Sequence, residues 1–393
     1  MKKRIAVCMD GTWSRLNQKA PTNIAKLARS VDHESADGAK QIVVYTPGVG
    51  AADDLKASAS GALAGGLFGE GLEQDIVQTY VRLSLNYQAG DEIYIFGYSR
   101  GAFSARSLGA MIRRCGVLRR RHVDQGKAAF DLYRTGKPAD HPDCVAFRNK
   151  FGKSASGGPD GSGPKPDIEI AFVGLFDTVG QRGLPSGLGF FTDWMNRKYE
   201  FHDVTLGQHV KAARHACAID EARFAFPPTL WTNLDELNAA HVAKGVAPLD
   251  LPYQQRWFPG THGDIGGGAP GAKLANFSLQ WIAEGAERAG MRFDRSDGSP
   301  LAASLTSEEL DPLAKLVAPN GPSGIRPRNI VSLPKGQKTV PVDVAAIVLH
   351  EVAAVRAMRS QPPYRPRSLK RFRTALREIA EKLDENGPPW RRG

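Results

Sequence analysis

The sequence predicts an α/β fold built on a mainly parallel sheet with helices on both faces. Three observations carry that expectation. Short apolar runs rich in β-formers recur at residues 5–9, 41–45, 93–96, 168–176 and 255–258. Stretches of helical spacing stand between several of them, and strand, helix, strand at this interval is the rhythm of parallel crossovers. Each run also stops at a polar or glycine-rich turn, which is where open α/β sheets deliver functional groups.

The strongest element is the run 93–96 followed by Gly97-Tyr98-Ser99-Arg100-Gly101 and a helical stretch over 102–111. Gly-x-Ser-x-Gly between a strand and a helix describes a turn so sharp that glycines are needed for clearance on both sides. Such a turn lifts a serine hydroxyl out of the sheet and sets it over a helix N-terminus.

The remaining elements follow in chain order. Residues 5–9 end at Asp10-Gly11-Thr12-Trp13, and Thr22 or Asn23 caps a helix through Ile24, Leu27 and Val31. The second run, 41–45, ends at Pro47-Gly48-Val49-Gly50. A Gly/Ala-rich loop over 51–71 contains no Gly-x-x-x-x-Gly-Lys-Ser/Thr and no Gly-x-Gly-x-x-Gly between strand and helix, so a nucleotide fold is not expected. A helix over 72–85 then leads to the Ser99 strand. The basic run 113–122 reads as a solvated helix end, and 154–166 as a low-complexity loop.

The run 168–176 delivers Asp177. An excursion over 181–256 is expected to cover the edge of the sheet, with a helical stretch at 206–218 and with Phe190, Phe191, Trp194, Phe224, Phe226 and Trp231 as candidate pocket walls. The last run, 255–258, opens into a glycine-rich turn around His262. Beyond it the chain predicts a helix through Leu274, Phe277, Trp281 and Ile282, a Pro-rich segment over 318–335, and helices at 342–356 and 369–383.

Composition sets the bounds. The 393 residues are 41% hydrophobic and 24% charged, which suits a globular chain with a sizeable core. The expected organisation is a catalytic core over 1–294 and a Pro-rich, basic helical extension over 295–393 packed on it. Net charge is +11, and residues 356–392 carry eleven Lys and Arg against four Asp and Glu. That excess reads first as a solvated helix face and second as a surface for an anionic membrane. No nucleic acid is expected as a partner. Cys8, Cys115, Cys144 and Cys217 form no Cys-x-x-Cys pair, so neither a zinc site nor a disulfide framework is indicated. The basic N-terminus precedes only five apolar residues, too few for a secretory signal, and no stretch reaches the length of a membrane span. The expectation is a protein made in the cytoplasm, with any export independent of a cleaved signal.

Ser99, Asp177 and His262 stand at strand ends in the order nucleophile, acid, histidine, the order that α/β-hydrolase-like folds impose. A histidine takes the serine proton, and a carboxylate fixes the imidazole tautomer. His262 is preferred over His202, His209, His215 and His350 because a flexible loop after a strand suits this role. The Arg100 amide is the natural first oxyanion donor, and the second comes from Gly11 or Thr12. Asp10 and Asp264 read as orienting groups. The scheme needs no metal and no cofactor.

Asp10-Gly-Thr-Trp13, Tyr45-Thr-Pro-Gly-Val-Gly50, Gly97-Tyr-Ser-Arg-Gly-Ala102, Gly174-Leu-Phe-Asp-Thr-Val179, Ile219-Asp-Glu-Ala-Arg223, the segment from Pro259 to Gly268 and Tyr364-Arg-Pro366 resemble the successive motifs of one bacterial family. It is the α/β-hydrolase domain of the first class of type VI secretion lipase effectors and their relatives. The resemblance covers nearly the whole chain and implies a serine hydrolase fold, with the family's Ser, Asp and His falling on Ser99, Asp177 and His262. It also implies a phospholipase-type activity on lipid or small ester substrates. No adaptor-binding or spike domain is expected within the 393 residues.

Two rival readings stay open at this level. Asp10-Gly11-Thr12 after a first strand resembles the nucleophile loop of Mg²⁺-dependent haloacid dehalogenase-type phosphatases, although Cys8 stands where their nucleophilic aspartate belongs. A hydrolase scaffold serving only as a binding module is the other.

Overall fold

The five apolar runs and one further segment form six strands among the described residues: β1 (Lys3–Met9), β2 (Lys40–Thr46), β3 (Glu92–Tyr98), β4 (Ile170–Phe176), β5 (Ala213–Ala218) and β6 (Tyr253–Phe258). They pair in parallel in the order β2-β1-β3-β4-β5-β6. This is a computed structural model, and it describes residues 2–50, 67–153, 168–179, 204–223, 226–318, 327–334 and 337–386. The expected loop over 154–166, most of the 51–71 loop, and Phe190, Phe191, Trp194, His202 and Phe224 lie outside the described residues.

Alternation along the strands explains why each run reads as continuously apolar. Ile5, Val7 and Met9 join Ile93 and Ile95 on one face, while Ala6 and Cys8 join Tyr94 and Phe96 on the other. Helices cover both faces. Leu72, Ile76 and Tyr80 of α2 (Leu67–Asn86), with Leu108 and Met111 of α3 (Arg100–Cys115), pack on the first. On the second lie α1 (Asn23–Ser30), with Ile24 and Leu27, and a later helix carrying Phe277, Trp281 and Ile282. Thr22 caps α1 as expected, its hydroxyl accepting from the Ala25 amide at 3.1 Å. The intervening helices are α4 (Gly126–Arg134), α5 (Pro142–Phe151), α6 (Leu234–Val242) and α7 (His262–Gly266), after which the Phe277 helix is α8 (Ala275–Arg288).

Two expectations are corrected. The stretch 206–218 was expected to be helical, and its second half is instead β5, every residue of it buried. Arg214 and His215 hide the strand signal because they break the apolar run, yet both are satisfied internally. Arg214 donates to the Trp281 carbonyl, and His215 bonds to Gln255 and to the Thr178 amide. The second correction concerns 342–356, expected as one helix. The chain forms α9 (Pro300–Ser304), then α10 (Val342–Val348), and breaks before α11 (Glu351–Arg359). Leu349 is extended there and bridges Trp257, and the His350 amide donates to the Trp257 carbonyl at 2.9 Å. The open edge of β6 supplies a partner that the helix would forgo. A 3₁₀ turn (Arg367–Phe372) then leads into α12 (Arg373–Asn386).

The C-terminal helices share one apolar cluster with the sheet: Cys217 of β5 and Trp257 of β6 pack with Leu349, Leu369, Phe372 and Leu376. Phe372→Ala is therefore expected to cost about 3–5 kcal/mol, as a large buried ring usually does. Urea unfolding followed by circular dichroism should remain one transition. Two separated transitions would mean that these helices are an independent unit.

Candidate active site

Ser99 sits at the sharp turn between β3 and α3. Its backbone adopts φ 57° and ψ −121°, a region costly for a residue with a side chain. The turn is held by the Ser99 amide donating to the Phe176 carbonyl at 3.1 Å, and by the Ala102 amide donating to the Ser99 carbonyl at 3.1 Å. Both flanking glycines are required by contact. A Cβ on Gly101 would lie 2.2 Å from the Met9 carbonyl oxygen, and one on Gly97 would lie 2.6 Å from the Ala102 Cα. Neither backbone can move aside.

The Asp177 carboxylate and the His262 ring meet this hydroxyl. His262 Nδ1 lies 2.7 Å from Asp177 Oδ2, and Nε2 lies 2.8 Å from Ser99 Oγ. A carboxylate only accepts, so Nδ1 carries the proton and Nε2 is left to accept from the serine. His262 was expected on a flexible loop. It is instead the first residue of α7, held by a capping box in which Asp264 Oδ2 accepts from the Thr261 amide at 2.9 Å. The Tyr98 and Phe226 rings pack on the imidazole at 4.9 and 5.1 Å.

Asp177 is fully buried at φ 40°. Oδ1 accepts from the Ala218 amide at 2.9 Å and from Arg328 Nη1 at 2.5 Å, and Oδ2 accepts from Arg328 Nη2 at 3.0 Å besides His262. Burial pushes the carboxyl up, but the Arg328 charge and the His262 N–H overcome it and hold the group far below the usual carboxylate range.

The other expected residues divide. Arg100 opens α3 directly after Ser99. The Gly11 amide, one of the two candidates for second oxyanion donor, is taken by Asp10 Oδ1 at 2.7 Å, because the carboxylate folds back on its own turn. Thr12 is the remaining candidate. Asp10 also accepts from Thr22 and Tyr45, and burial raises it to about 6 against those hydrogen bonds. Asp264 ties α7 to the Val317 amide at 3.1 Å. Cys8, at the position a phosphatase nucleophile would occupy, is completely buried, and burial drives its thiol strongly up. The described rival histidines have other partners. His215 is lowered to about 4 by burial and accepts from the Thr178 amide, His209 bonds the Gly109 carbonyl, and His350 stacks on Phe258. Trp231, expected as a pocket wall, lines a cavity with Arg106, Arg113 and His209 and packs edge-on against His215.

Sequence reasoning missed two residues. Glu221, paired with Arg223, accepts from the His262 amide at 3.2 Å, and only its place in a polar run hinted at it. Arg328 stands in the Pro-rich segment with no spacing signal at all.

Residues 3–285 match the catalytic domain of the Tle1-like phospholipase effectors of the T6SS, the type VI secretion system. The chain belongs to this family. Ser99, Asp177 and His262 lie inside the matched stretch, and Arg328 lies beyond it. This Tle1-like chain is also 29% identical over 243 residues, 58% of its length, to the uncharacterized protein YEL023C of Saccharomyces cerevisiae, of which it spans 33%. A crystal structure of an uncharacterized protein from Pseudomonas aeruginosa aligns with 97% of this chain and 52% of its own, at 17% identity and a TM-score of 0.40.

Because the folded Asp177 carboxyl lies below its unfolded value, the stability it contributes is present above the ordinary carboxylate range and is lost as pH falls through the folded value. Asp177→Asn should cost about 3 kcal/mol at pH 7 by stranding the Arg328 charge. Its urea midpoint should then fall less than that of wild type between about pH 5 and 2.5. Parallel decline of the two proteins would remove Asp177 from the acid transition.

Proposed function

We propose that this chain is a serine ester hydrolase of the phospholipase type, acting through an acyl-enzyme. The observation that carries the reading is the continuous hydrogen-bonded line from Ser99 Oγ through both ring nitrogens of His262 to Asp177 Oδ2. His262 Nε2 takes the hydroxyl proton as Oγ attacks the ester carbonyl. The oxyanion forms against the Arg100 and Thr12 amides, next to the N-terminus of α3. Collapse expels the alcohol, which receives the proton from Nε2. Water then repeats the sequence on the acyl-Ser99 ester, releasing the carboxylic acid and restoring the serine.

Membership of the Tle1-like family supports a lipid as the substrate. A second observation supports action at an anionic surface: Arg365, just before the 3₁₀ turn, and Arg367, Lys370, Arg371, Arg373 and Arg377 along that turn and α12 are all exposed. Charged lipid headgroups attract such a face by roughly 1 kcal/mol per basic residue.

A fluorophosphonate probe should label wild type stoichiometrically at Ser99 and leave Ser99→Ala unlabelled. Ser99→Ala and His262→Ala should each lower kcat on a phospholipid or simple ester by at least about 10³-fold with the fold intact. A folded wild type that takes no label would instead favour the binding-module reading. Sedimentation with vesicles should recover more protein on phosphatidylserine-containing than on pure phosphatidylcholine membranes. Charge reversal at Arg367, Lys370 and Arg371 should abolish the difference; equal binding to both vesicle types would remove the basic face from the scheme.

A further inference from the structure

We propose that Arg328 is a positioning residue of the active site, delivered from outside the family-matched stretch to fix and partly neutralise Asp177. This inference rests on the Ser-His-Asp reading above. The guanidinium grips both oxygens of the carboxylate, Nη1 on Oδ1 at 2.5 Å and Nη2 on Oδ2 at 3.0 Å. Two carbonyls hold it in turn, Ala218 at 3.0 Å from Nη1 and Phe226 at 2.7 Å from Nη2. Its side chain is 3% exposed. A planar fork with four acceptors has little freedom, so the carboxylate plane facing His262 is fixed with it.

The same contacts reach His262 from a second side. Phe226, whose carbonyl Arg328 holds, packs its ring against the imidazole. Arg328 therefore bears on both neighbours that orient the ring.

The charge has its own consequence. A lone buried carboxylate would stabilise the protonated imidazole strongly, and an adjacent guanidinium reduces that pull. Among the described residues, the other groups around His262 and Asp177 include Glu221 with its partner Arg223, Asp264 in α7, Asp220 after β5, Tyr98 at the end of β3, Cys217 of β5, and His215 behind the Asp177 turn.

The test compares wild type, Arg328→Gln and Arg328→Lys as full chains, alone and in the Asp177→Asn background. Arg328→Gln should lower kcat about 10–100-fold with KM nearly unchanged, the loss expected from a misplaced catalytic group. The acid limb of kcat/KM should move to higher pH, because the carboxylate facing the ring has then lost its counter-charge. Arg328→Lys should keep the wild-type pH limb and recover only part of kcat. In Asp177→Asn, removal of Arg328 should cost much less than in wild type, because only its hold on Phe226 is left to lose.

Wild-type kcat and pH limb in a folded Arg328→Gln would overturn the proposal, as would an equal loss in the Asp177→Asn background. If Arg328→Gln does not fold, the pH limb and partial kcat of Arg328→Lys decide. Fluorophosphonate labelling separates the two levels. An unlabelled wild-type Ser99 would overturn the serine mechanism and this inference together, whereas a labelled Ser99 with an Arg328-insensitive profile would overturn this inference alone.

Discussion

The Asp177 carboxylate is buried completely, and a charge in that position costs several kcal/mol unless donors and a counter-charge surround it. Its partners come from three separate parts of the chain. Ala218 follows from β5, His262 opens the helix after β6, and Arg328 arrives from the segment 327–334. The ends of β4, β5 and β6 must therefore converge on one point. That convergence also sets the His262 tautomer that leaves Nε2 facing Ser99.

Backbone strain gathers at the same edge of the sheet. Among the described residues the non-glycine positions with positive φ are Trp13, Ser99 and Asp177, on the turns after β1, β3 and β4. Each costs roughly 1–3 kcal/mol and persists only where packing overrides it. The strand order reverses between β1 and β3, so their two turns flank the crevice where parallel sheets leave room for a ligand. Gly101 lies in contact with the carbonyls of Met9 and Asp10, which locks the Ser99 turn to the turn carrying Thr12. Ser99 and the proposed oxyanion donors are thus one packed unit.

Much of the basic charge is internal. Arg4, Arg214, Arg256, Arg328 and Arg356 are buried, each bonded to carbonyls or carboxylates. Arg356 counts towards the basic C-terminal excess, yet it donates to the Pro312 and Ala314 carbonyls. In the basic run 113–122, Arg119 similarly ties down the Asn149 and Gly152 carbonyls. A guanidinium on a long apolar stem spreads its donors over a planar fork and so caps carbonyls that lie apart. Within the C-terminal run, Arg365, Arg367, Lys370, Arg371, Arg373 and Arg377 stay exposed as a surface field.

Local pattern was enough to determine the parallel α/β class, the sharp turn at Ser99, and Asp177 and His262 at strand ends. Buried parallel strands advertise themselves as apolar runs, and their ends are marked by the glycines that close contact demands. Where the sequence misled, the deciding partner was remote. Strand β5 looked helical because its two interior polar residues are satisfied by α8, β6 and the Asp177 turn. The helix at 342–356 broke because the edge of β6 offered a hydrogen bond. Gly11 lost its candidacy to a neighbouring carboxylate, and Arg328 stands 151 residues from the aspartate it grips. Periodicity and motif spacing encode what a segment does with its own neighbours. The counter-charge of a buried carboxylate is fixed only by how the folded chain closes around it.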